Sequence, residues 1–96
     1  MSAKTTRVHL EIRLAKGARV NELVLDHERV TVQAVLLRMS KEEWAKDLFE
    51  TKDGNTTLIN GFLLVLDNRM VQKWELEDTF VNDEAELKFV QVVPGG

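Results

Sequence analysis

Length, composition and charge set the first limits on this 96-residue chain. Its 44% hydrophobic and 30% charged residues are typical of one soluble globular domain and not of a disordered chain. The absence of cysteine excludes disulfides, thiolate metal sites and a cysteine nucleophile. No apolar run approaches the roughly 20 residues that span a bilayer, and residues 1–7 lack the apolar core of a secretory signal. We therefore expect a cytoplasmic protein with no membrane contact.

The net charge of −3 is unevenly distributed along the chain. Residues 1–50 carry nine Lys/Arg against eight Asp/Glu, whereas residues 51–96 carry four against eight. Residues 75–86 contain six acids and no base. Because phosphates are bound by Lys and Arg, we expect no direct contact with nucleic acid through this half. The acidic face either meets a partner with a basic surface or keeps the protein soluble.

The first predicted elements are the two strands of a hairpin. Val8, Leu10, Ile12 and Leu14 alternate with polar residues, and this period of two predicts a half-buried strand. Residues 15–19 contain Gly17 and predict a turn, and residues 20–25 predict the return strand.

The pattern then changes to that of a helix. Apolar residues recur with i, i+3, i+4, i+7 spacing at Val32, Val35, Leu36 and Met39. Thr31 is the expected N-cap. The sequence from Ser40 to Glu43 has the spacing of a capping box, which predicts a second short helix from Ser40 or one helix that continues with a bend. Turn residues 52–55 are expected to end it.

Strand patterns return in the second half. Residues 58–59 and 62–66 are apolar, with Asn60 and Gly61 between them as a turn or bulge signal. Asp67 and Asn68 predict another turn, and residues 70–71 resume the apolar pattern. Residues 78–83 predict a loop, and a last strand is expected from about residue 85 to residue 92, where Pro94 ends it.

The segment from Trp74 to Val81 contains further apolar positions. Trp74 and Leu76 flank Glu75 and are expected to share one face, and Phe80 or Val81 is expected to anchor the loop. The order of elements predicts an α+β fold with a mixed β-sheet and one helix packed across one face. The first and last strands can pair in parallel only through the helical crossover. We expect one domain over residues 1–91 and a tail over residues 92–96.

Side chains suited to catalysis are nearly absent. His9 and His27 show no metal-ligand spacing, so we expect no bound metal. Ser40 has a capping role, which leaves no credible serine nucleophile. No glycine-rich phosphate loop is present. Trp44 and Trp74 are read as packing residues of the core or its rim, in preference to a platform for stacked bases.

The remaining candidate is the end of the chain, Gly95-Gly96. Glycines without Cβ atoms make a tail thin enough for a narrow channel, and Pro94 holds Val93 in an extended conformation. Five residues from Val92 span about 16 Å at about 3.3 Å each. A carboxylate is inert until a partner adenylates it. The alternative is a frayed end with no function.

Residues 76–96 resemble the ubiquitin-like β-grasp sulfur carriers. This group includes the small subunit of molybdopterin synthase, the thiamine-pathway sulfur carrier and the ubiquitin-related modifier of tRNA thiolation. The family pattern is an apolar anchor, an acidic turn, a strand and a short apolar tail to Gly-Gly. Its places are occupied in order by Phe80/Val81, Asn82-Asp83-Glu84, Leu87/Phe89 and Val92-Val93. This sequence departs from the pattern at Glu84, where the family has glycine, at Gln91-Val92 and at Pro94.

The resemblance implies a ubiquitin-like β-grasp fold and a carrier that is not itself an enzyme. A ubiquitin-activating-like enzyme would adenylate Gly96 with ATP, and a sulfur donor protein would then convert it to a thiocarboxylate. Gly95 would give clearance, Val92, Val93 and Pro94 would guide the tail, and no cofactor would be bound. Phe62 and Leu64 are the expected docking surface on the sheet. The acceptor would be a cofactor synthase subunit or a tRNA thiolase.

Two other functions stay open. The chain could be a protein modifier joined through Gly96 to target lysines, or a β-grasp interaction module whose glycines are incidental. Conversion of Gly96 to a thiocarboxylate would indicate the sulfur carrier, and attachment to target lysines would indicate the modifier. Unchanged function after deletion of Gly95 and Gly96 would indicate the interaction module.

Overall fold

The structure of the protein is a computed structural model, and it describes residues 4–92. This part of the chain forms strands β1 (Thr6–Leu14), β2 (Gly17–Leu25), β3 (Val30–Thr31), β4 (Phe49–Lys52), β5 (Asn55–Leu58), β6 (Phe62–Leu66), β7 (Arg69–Val71), β8 (Phe80–Val81) and β9 (Ala85–Gln91). Helix α1 spans Val32–Met39, and two 3₁₀ helices span Glu43–Leu48 and Lys73–Glu75.

A five-stranded mixed sheet with the order β2-β1-β9-β6-β7 forms the main layer. Strand β9 is at its centre, where it pairs in parallel with β1 and antiparallel with β6. The parallel pairing of the first and last strands is confirmed, and α1 lies in the connection that makes it possible. Two short ribbons, β3-β8 and β4-β5, complete the strands described.

The core lies between α1 and one face of the sheet. The helix buries the predicted stripe of Val32, Val35, Leu36 and Met39, because these side chains recur on one side of a helical turn. The facing strands contribute side chains with no more than 1% exposure: Val8, Leu10, Ile12, Leu87 and Phe89. Each such side chain contributes about 1.5–3 kcal/mol of hydrophobic stabilisation relative to an exposed one.

The N-terminal hairpin is confirmed, with longer strands than the pattern predicted. Its register ends at the pair Leu14↔Gly17, so the turn contains only Ala15 and Lys16. Gly17 has φ of 120°, which a residue with a Cβ rarely adopts. This explains the glycine at the start of β2.

The prediction for the start of α1 is confirmed, and the prediction for Ser40 is wrong. Thr31 Oγ1 accepts a bond from the Ala34 N–H at 3.2 Å, as an N-cap does. Ser40 lies at the C-terminal end of α1, where its hydroxyl donates to the Leu37 carbonyl at 2.6 Å. The next helix is a separate 3₁₀ turn that begins at Glu43. The hydroxyl donates to a carbonyl of the preceding turn instead of accepting a bond from an N–H of the next helix, as an N-cap would.

The turn at residues 52–55 belongs to a hairpin and not to a helix end. Strands β4 and β5 pair from Phe49↔Leu58 to Lys52↔Asn55. The two residues between them, Asp53 and Gly54, have φ of 54° and 81°. Positive φ at both central residues is the geometry of a tight hairpin turn, which Asp-Gly favours. Asp67 and Asn68, with φ of 47° and 69°, form the predicted turn between β6 and β7 in the same way.

The segment from Trp74 to Val81 differs in part from the prediction. Residues 73–75 form a 3₁₀ turn and not a strand, and Trp74 is 78% exposed, so it does not share a buried face with Leu76. A reciprocal capping box explains the turn: Gln72 N–H donates to Glu75 Oε2 at 2.8 Å. Val81 is the buried anchor of the following loop, while Phe80 lies under the Arg29 guanidinium at 4.1 Å.

Candidate functional site: the end of strand β9

Strand β9 fixes the base of the candidate tail. It is hydrogen-bonded on both sides, to β1 from Ala85 to Val90 and to β6 from Leu87 to Gln91. Its side chains Leu87 and Phe89 are fully buried. A central strand with such anchors opens only with the global unfolding of the domain. The point at which the chain leaves the sheet is therefore held rigidly.

Two hydrogen bonds define that point. The Val92 N–H donates to the Gly61 carbonyl at 2.6 Å, and the Ala15 N–H donates to Gln91 Oε1 at 3.0 Å. The first bond ties the chain to the loop before β6, and the second ties it to the turn between β1 and β2. The exit of the tail is thus set by both neighbouring strands.

Of the residues assigned to the tail, the structure describes Val92 alone. Its side chain is 46% exposed, at the end of the sheet. Gly96, Gly95, Pro94 and Val93 lie outside the described residues, so their roles stay predictions. The division between a domain over residues 1–91 and a tail also stays a prediction, although β9 ends at Gln91.

The docking surface expected at Phe62 and Leu64 needs correction. Leu64 is 6% exposed and belongs to the core, and Phe62 is half-buried on the same face of β6. The period of two along a strand sends both side chains toward α1. Leu64 is therefore unavailable to a partner, and Phe62 offers only part of its ring.

The opposite face of the sheet carries the exposed apolar side chains beside the tail. Leu63 pairs with Val90 across β6 and β9, and Val65 pairs with Met70 across β6 and β7. We call these four residues the outer apolar patch; Leu63 and Met70 are 41% and 49% exposed, and the other two are half-buried. Sequence reasoning missed the patch because residues 62–66 are apolar throughout, so no polar residue marks the outward side. The pairing of Leu64 with Phe89, which is buried in the core, shows which side of β6 faces inward.

The far end of the same outer face is polar. His9 Nε2 lies 3.0 Å from Glu84 Oε2, and His9 Nδ1 lies 3.5 Å from Glu22 Oε2. Arg7 contacts the same two carboxylates at 3.7 and 3.8 Å. The outer apolar patch therefore extends from Val90 to the β6-β7 side, whereas Arg13 pairs with Val90 on the β1 side.

Several acids of residues 75–86 have structural partners. Glu75 accepts from the Gln72 N–H, Asp83 accepts from the Arg7 N–H at 2.8 Å, and Glu84 contacts His9. These bonds account for three of the six carboxylates without an external partner. They weaken the inference that the acidic half exists to meet a basic surface.

The turn before β9 explains how Glu84 replaces the glycine of the family pattern. Glu84 has φ of 65°, the left-handed conformation that glycine adopts without strain. Its N–H donates to the Arg7 carbonyl at 2.7 Å, and the Ala85 N–H donates to the Asn82 carbonyl at 3.1 Å. The backbone of the turn is thus in a glycine-type conformation, held by bonds on both sides of Glu84.

Arg19 and Asp47 form the best-defined ion pair. Two parallel bonds of 2.9 and 2.8 Å join the guanidinium to the carboxylate, and Arg19 also donates to the Trp44 carbonyl. The hydrogen bond from Arg19 lowers the pKa of Asp47, and the same bond raises the pKa of Arg19. The pair links β2 to the first 3₁₀ helix.

Within residues 4–92 no cluster of three or more His, Asp or Glu side chains is arranged to hold a metal ion. None of the helices described is long and apolar enough to cross a membrane. Trp44 is half-buried against the core, whereas Trp74 is exposed, so the packing interpretation holds for the first tryptophan and not for the second.

Comparisons with known proteins find solved structures that are similar to this one. No family model matches the chain, and no curated protein sequence matches it. The solution structure of the Haloferax volcanii HVO 2177 protein is similar with a TM-score of 0.68 at 17% identity, covering 100% of this chain and 92% of that one. The solution structure of the small archaeal modifier protein 1 (SAMP1) from Methanosarcina acetivorans is similar with a TM-score of 0.64 at 22% identity, covering 96% and 98%.

At sequence identities of 17% and 22%, the structural similarity supports a shared fold but not a shared activity. Both similarities extend over at least 96% of this chain, so they include the mixed sheet, in which β1 and β9 are parallel, and the helix across one face. The chain therefore has the ubiquitin-like β-grasp fold, and it resembles an archaeal small modifier protein over nearly its whole length.

Proposed function

We propose that this protein is a ubiquitin-like carrier whose Gly96 carboxylate is adenylated by a ubiquitin-activating-like enzyme and then converted to a thiocarboxylate. One observation carries the proposal: the central strand of the sheet leads into the Gly-Gly segment and is tied at Val92 to Gly61. The likeness in fold to a small archaeal modifier protein supports it. In this role the chain is the group that is carried, and its partners are the catalysts.

The chemistry requires little of the chain itself. The carboxylate attacks the α-phosphate of ATP and pyrophosphate leaves. The outer sulfur of a persulfide on the donor protein then displaces AMP, and a second thiol of the donor reduces the resulting acyl disulfide, which releases the thiocarboxylate and leaves a disulfide on the donor. A glycine at the reacting position puts no Cβ beside the carbonyl carbon, so the approach of both reagents is open. The rigid base limits the orientations that the tail samples, which favours its productive placement in the partner's active site.

The outer apolar patch is the surface we assign to the activating enzyme. Leu63 and Val90 lie on the sheet beside the exit of the chain, so a partner that receives the tail also meets them. Exposed apolar side chains grouped beside a reactive end are typical of an interaction site. The patch takes the role expected for Leu64 and part of that expected for Phe62.

Intact mass tests the proposal. The chain is incubated with its cell's activating enzyme, ATP and a sulfur donor, and we expect a mass gain equal to the replacement of one oxygen by sulfur. A variant without Gly95 and Gly96 is the control and should keep its mass. An unchanged mass of the full chain, with an enzyme that activates another carrier in the same assay, would contradict the proposal.

Conjugation to lysine is the second candidate, and it is favoured by the likeness in fold to a Methanosarcina protein that is described as a modifier. It uses the same adenylate, with a lysine amine in place of the sulfur nucleophile. Trypsin would cut after Lys88 and leave residues 89–96 on the target lysine. Remnants of that sequence in cell extracts would support conjugation. Full function in the cell without Gly95 and Gly96 would instead support an interaction module and overturn both chemistries.

A further inference from the structure

A groove lies on the helix side of the sheet, beside the point where β9 ends. It has a volume of about 550 Å³ and is bounded by α1, the β4-β5 hairpin, the start of β6 and the 3₁₀ turn after β7. Its lining is mainly apolar, from Leu36, Phe49, Leu58, Phe62 and Trp74. A groove of this size and character is within the range that holds small ligands or short chain segments.

The chain leaves the sheet at the edge of this groove. Gly61, which accepts the bond from the Val92 N–H, is part of the lining, as is its neighbour Asn60. Lys73 lies in the 3₁₀ turn that follows β7, two strands away from β9, and its Nζ reaches Asn60 beside Gly61. Two strand spacings of about 4.8 Å make about 10 Å, whereas four extended residues span about 13 Å. Residues 93–96 are therefore long enough to reach Lys73.

Charge and polarity match between the groove and these four residues. Lys73 Nζ donates to Asn60 Oδ1 at 3.2 Å, which holds the ammonium at the edge beside Gly61. Lys73 forms no ion pair with any of residues 4–92. Val93 and Pro94 bring apolar side chains, and the end of the chain brings a carboxylate. Glu50, also in the lining, is on β4 and not beside Asn60.

We propose that residues 93–96 bind in this groove of their own chain. Val93 and Pro94 contact the rings of Phe62 and Trp74, and the Gly96 carboxylate pairs with Lys73. The inference rests on the proposed function in one respect, since it takes Gly96 as the end of the chain. A docked tail is withheld from the activating enzyme, so the rate of adenylation follows the undocked fraction.

Solution NMR on the full chain tests the docking directly. We expect nuclear Overhauser contacts from the Val93 methyl groups and the Pro94 ring to the ring protons of Phe62 and Trp74. Their absence would overturn the proposal. A sample that mixes labelled and unlabelled chains shows whether the contacts arise within one molecule. Contacts found only between copies would also overturn it, because the occupant would then be the tail of a second copy.

A pair of lysine variants tests the role of charge. Lys73→Gln should lower the docking equilibrium about two- to fivefold, the effect of one exposed ion pair, and weaken the Overhauser contacts accordingly. Lys52→Gln removes the same charge from β4 at a position outside the lining and should leave the contacts unchanged. An equal loss in both variants, or none in either, would contradict the assigned pair.

The two proposals fail in different ways. Absence of the Overhauser contacts leaves the mass gain on activation unaffected, and it removes only the docked tail. Clear contacts together with an unchanged mass in a competent assay would remove the sulfur-carrier chemistry and keep the groove as the binding site of the tail.

Discussion

The Val92 N–H donates to the Gly61 carbonyl across 2.6 Å, which ties the end of the central strand to the loop before β6. Gly61 makes this bond from a backbone with φ of 100°, and a Cβ built on it would lie 3.9 Å from the Val92 carbonyl oxygen. Space is therefore available, and the conformation alone demands glycine. The direction in which the chain leaves the sheet depends on a residue 31 positions earlier in the sequence.

Gly61→Ala is expected to cost about 1–2 kcal/mol in the free energy of unfolding and to shift the Val92 amide resonance. Gly54→Ala is the matched control, since Gly54 has φ of 81° in the distant β4-β5 turn and open space for a Cβ. Urea unfolding should show a similar loss for both variants, and NMR a change at Val92 for the first alone. If the Val92 resonance shifts in both variants, the shift does not report the bond between the Val92 N–H and the Gly61 carbonyl.

Adjacent leucines of β6 should respond very differently to truncation. Leu64→Ala removes a core side chain and should cost about 2–4 kcal/mol, whereas Leu63→Ala on the outer face should cost less than about 1 kcal/mol. Chemical denaturation of the two variants measures the difference. Equal losses would contradict the inward position of Leu64, and a larger loss at Leu63 would mean that the register of β6 is shifted by one residue.

Leu63→Gln should lower kcat/KM for the activating enzyme at least about fivefold, because it places an amide in the outer apolar patch. Val20→Gln makes the same chemical change on β2, at a side chain that is 74% exposed at the far edge of the sheet. That control should leave the rate and the unfolding midpoint near those of the parent chain. Equal rates for the two variants would remove the patch from the docking surface.

Glu84 offers a test of stored backbone strain. Glu84→Gly releases the left-handed strain but loses exposed contacts to His9 and Arg7, and Glu84→Ala loses the contacts and keeps the strain. We expect the glycine variant to be about 1 kcal/mol more stable than the alanine variant in urea unfolding. An alanine variant as stable as the glycine variant would place Glu84 outside the left-handed region in solution.

Asp47 should add a small pH dependence to stability. Because its pKa is lowered in the folded state by the bond from Arg19, its contribution is complete above the unfolded value near pH 4. This stabilising contribution is lost as the pH falls below that value and through the lowered pKa of Asp47 in the folded state. Both side chains are partly exposed, at 37% and 60%, so the contribution is less than about 1 kcal/mol.

Asp47→Asn measures this contribution. The variant should be less stable than the parent chain at pH 7, and the difference should shrink toward pH 3. Asp26→Asn, at an exposed position in the bend after β2, is the control and should show no such trend. A stability difference that stays constant from pH 7 to pH 3 would assign the loss at Asp47 to packing instead of charge.

Elements with a single strong period could be predicted from the sequence. The alternation of β1 and the stripe of α1 each belong to one half-buried face, so their type and inward side follow from local pattern. The order of elements showed that β1 and β9 could pair in parallel only through the helical crossover, which the structure contains. Either Phe80 or Val81 was expected as the buried anchor, and the structure identifies Val81.

Elements that depend on a competition between local hydrogen bonds could not be predicted from the sequence. Ser40 has the spacing of a capping box, but its hydroxyl is already bonded to the Leu37 carbonyl, and sequence spacing does not rank those two bonds. Trp74 is exposed because the Gln72–Glu75 capping bonds curl the chain into a turn. The outward face of β6 required the register with β9, which is a tertiary fact and not a local one.

The pairing of β1 with β9 also has a consequence for how the molecule is made. The partners Val8 and Ala85 are 77 positions apart, so the middle of the sheet closes only after nearly the entire chain has left the ribosome. Until then β1 and β6 each present an open edge, which other chains can pair with and aggregate on. Copies broken before residue 85 lack the strand that seals both edges. Proteolytic clearance of such fragments, and slow folding of complete chains, are the expected consequences of placing the last strand of the domain at the centre of its sheet.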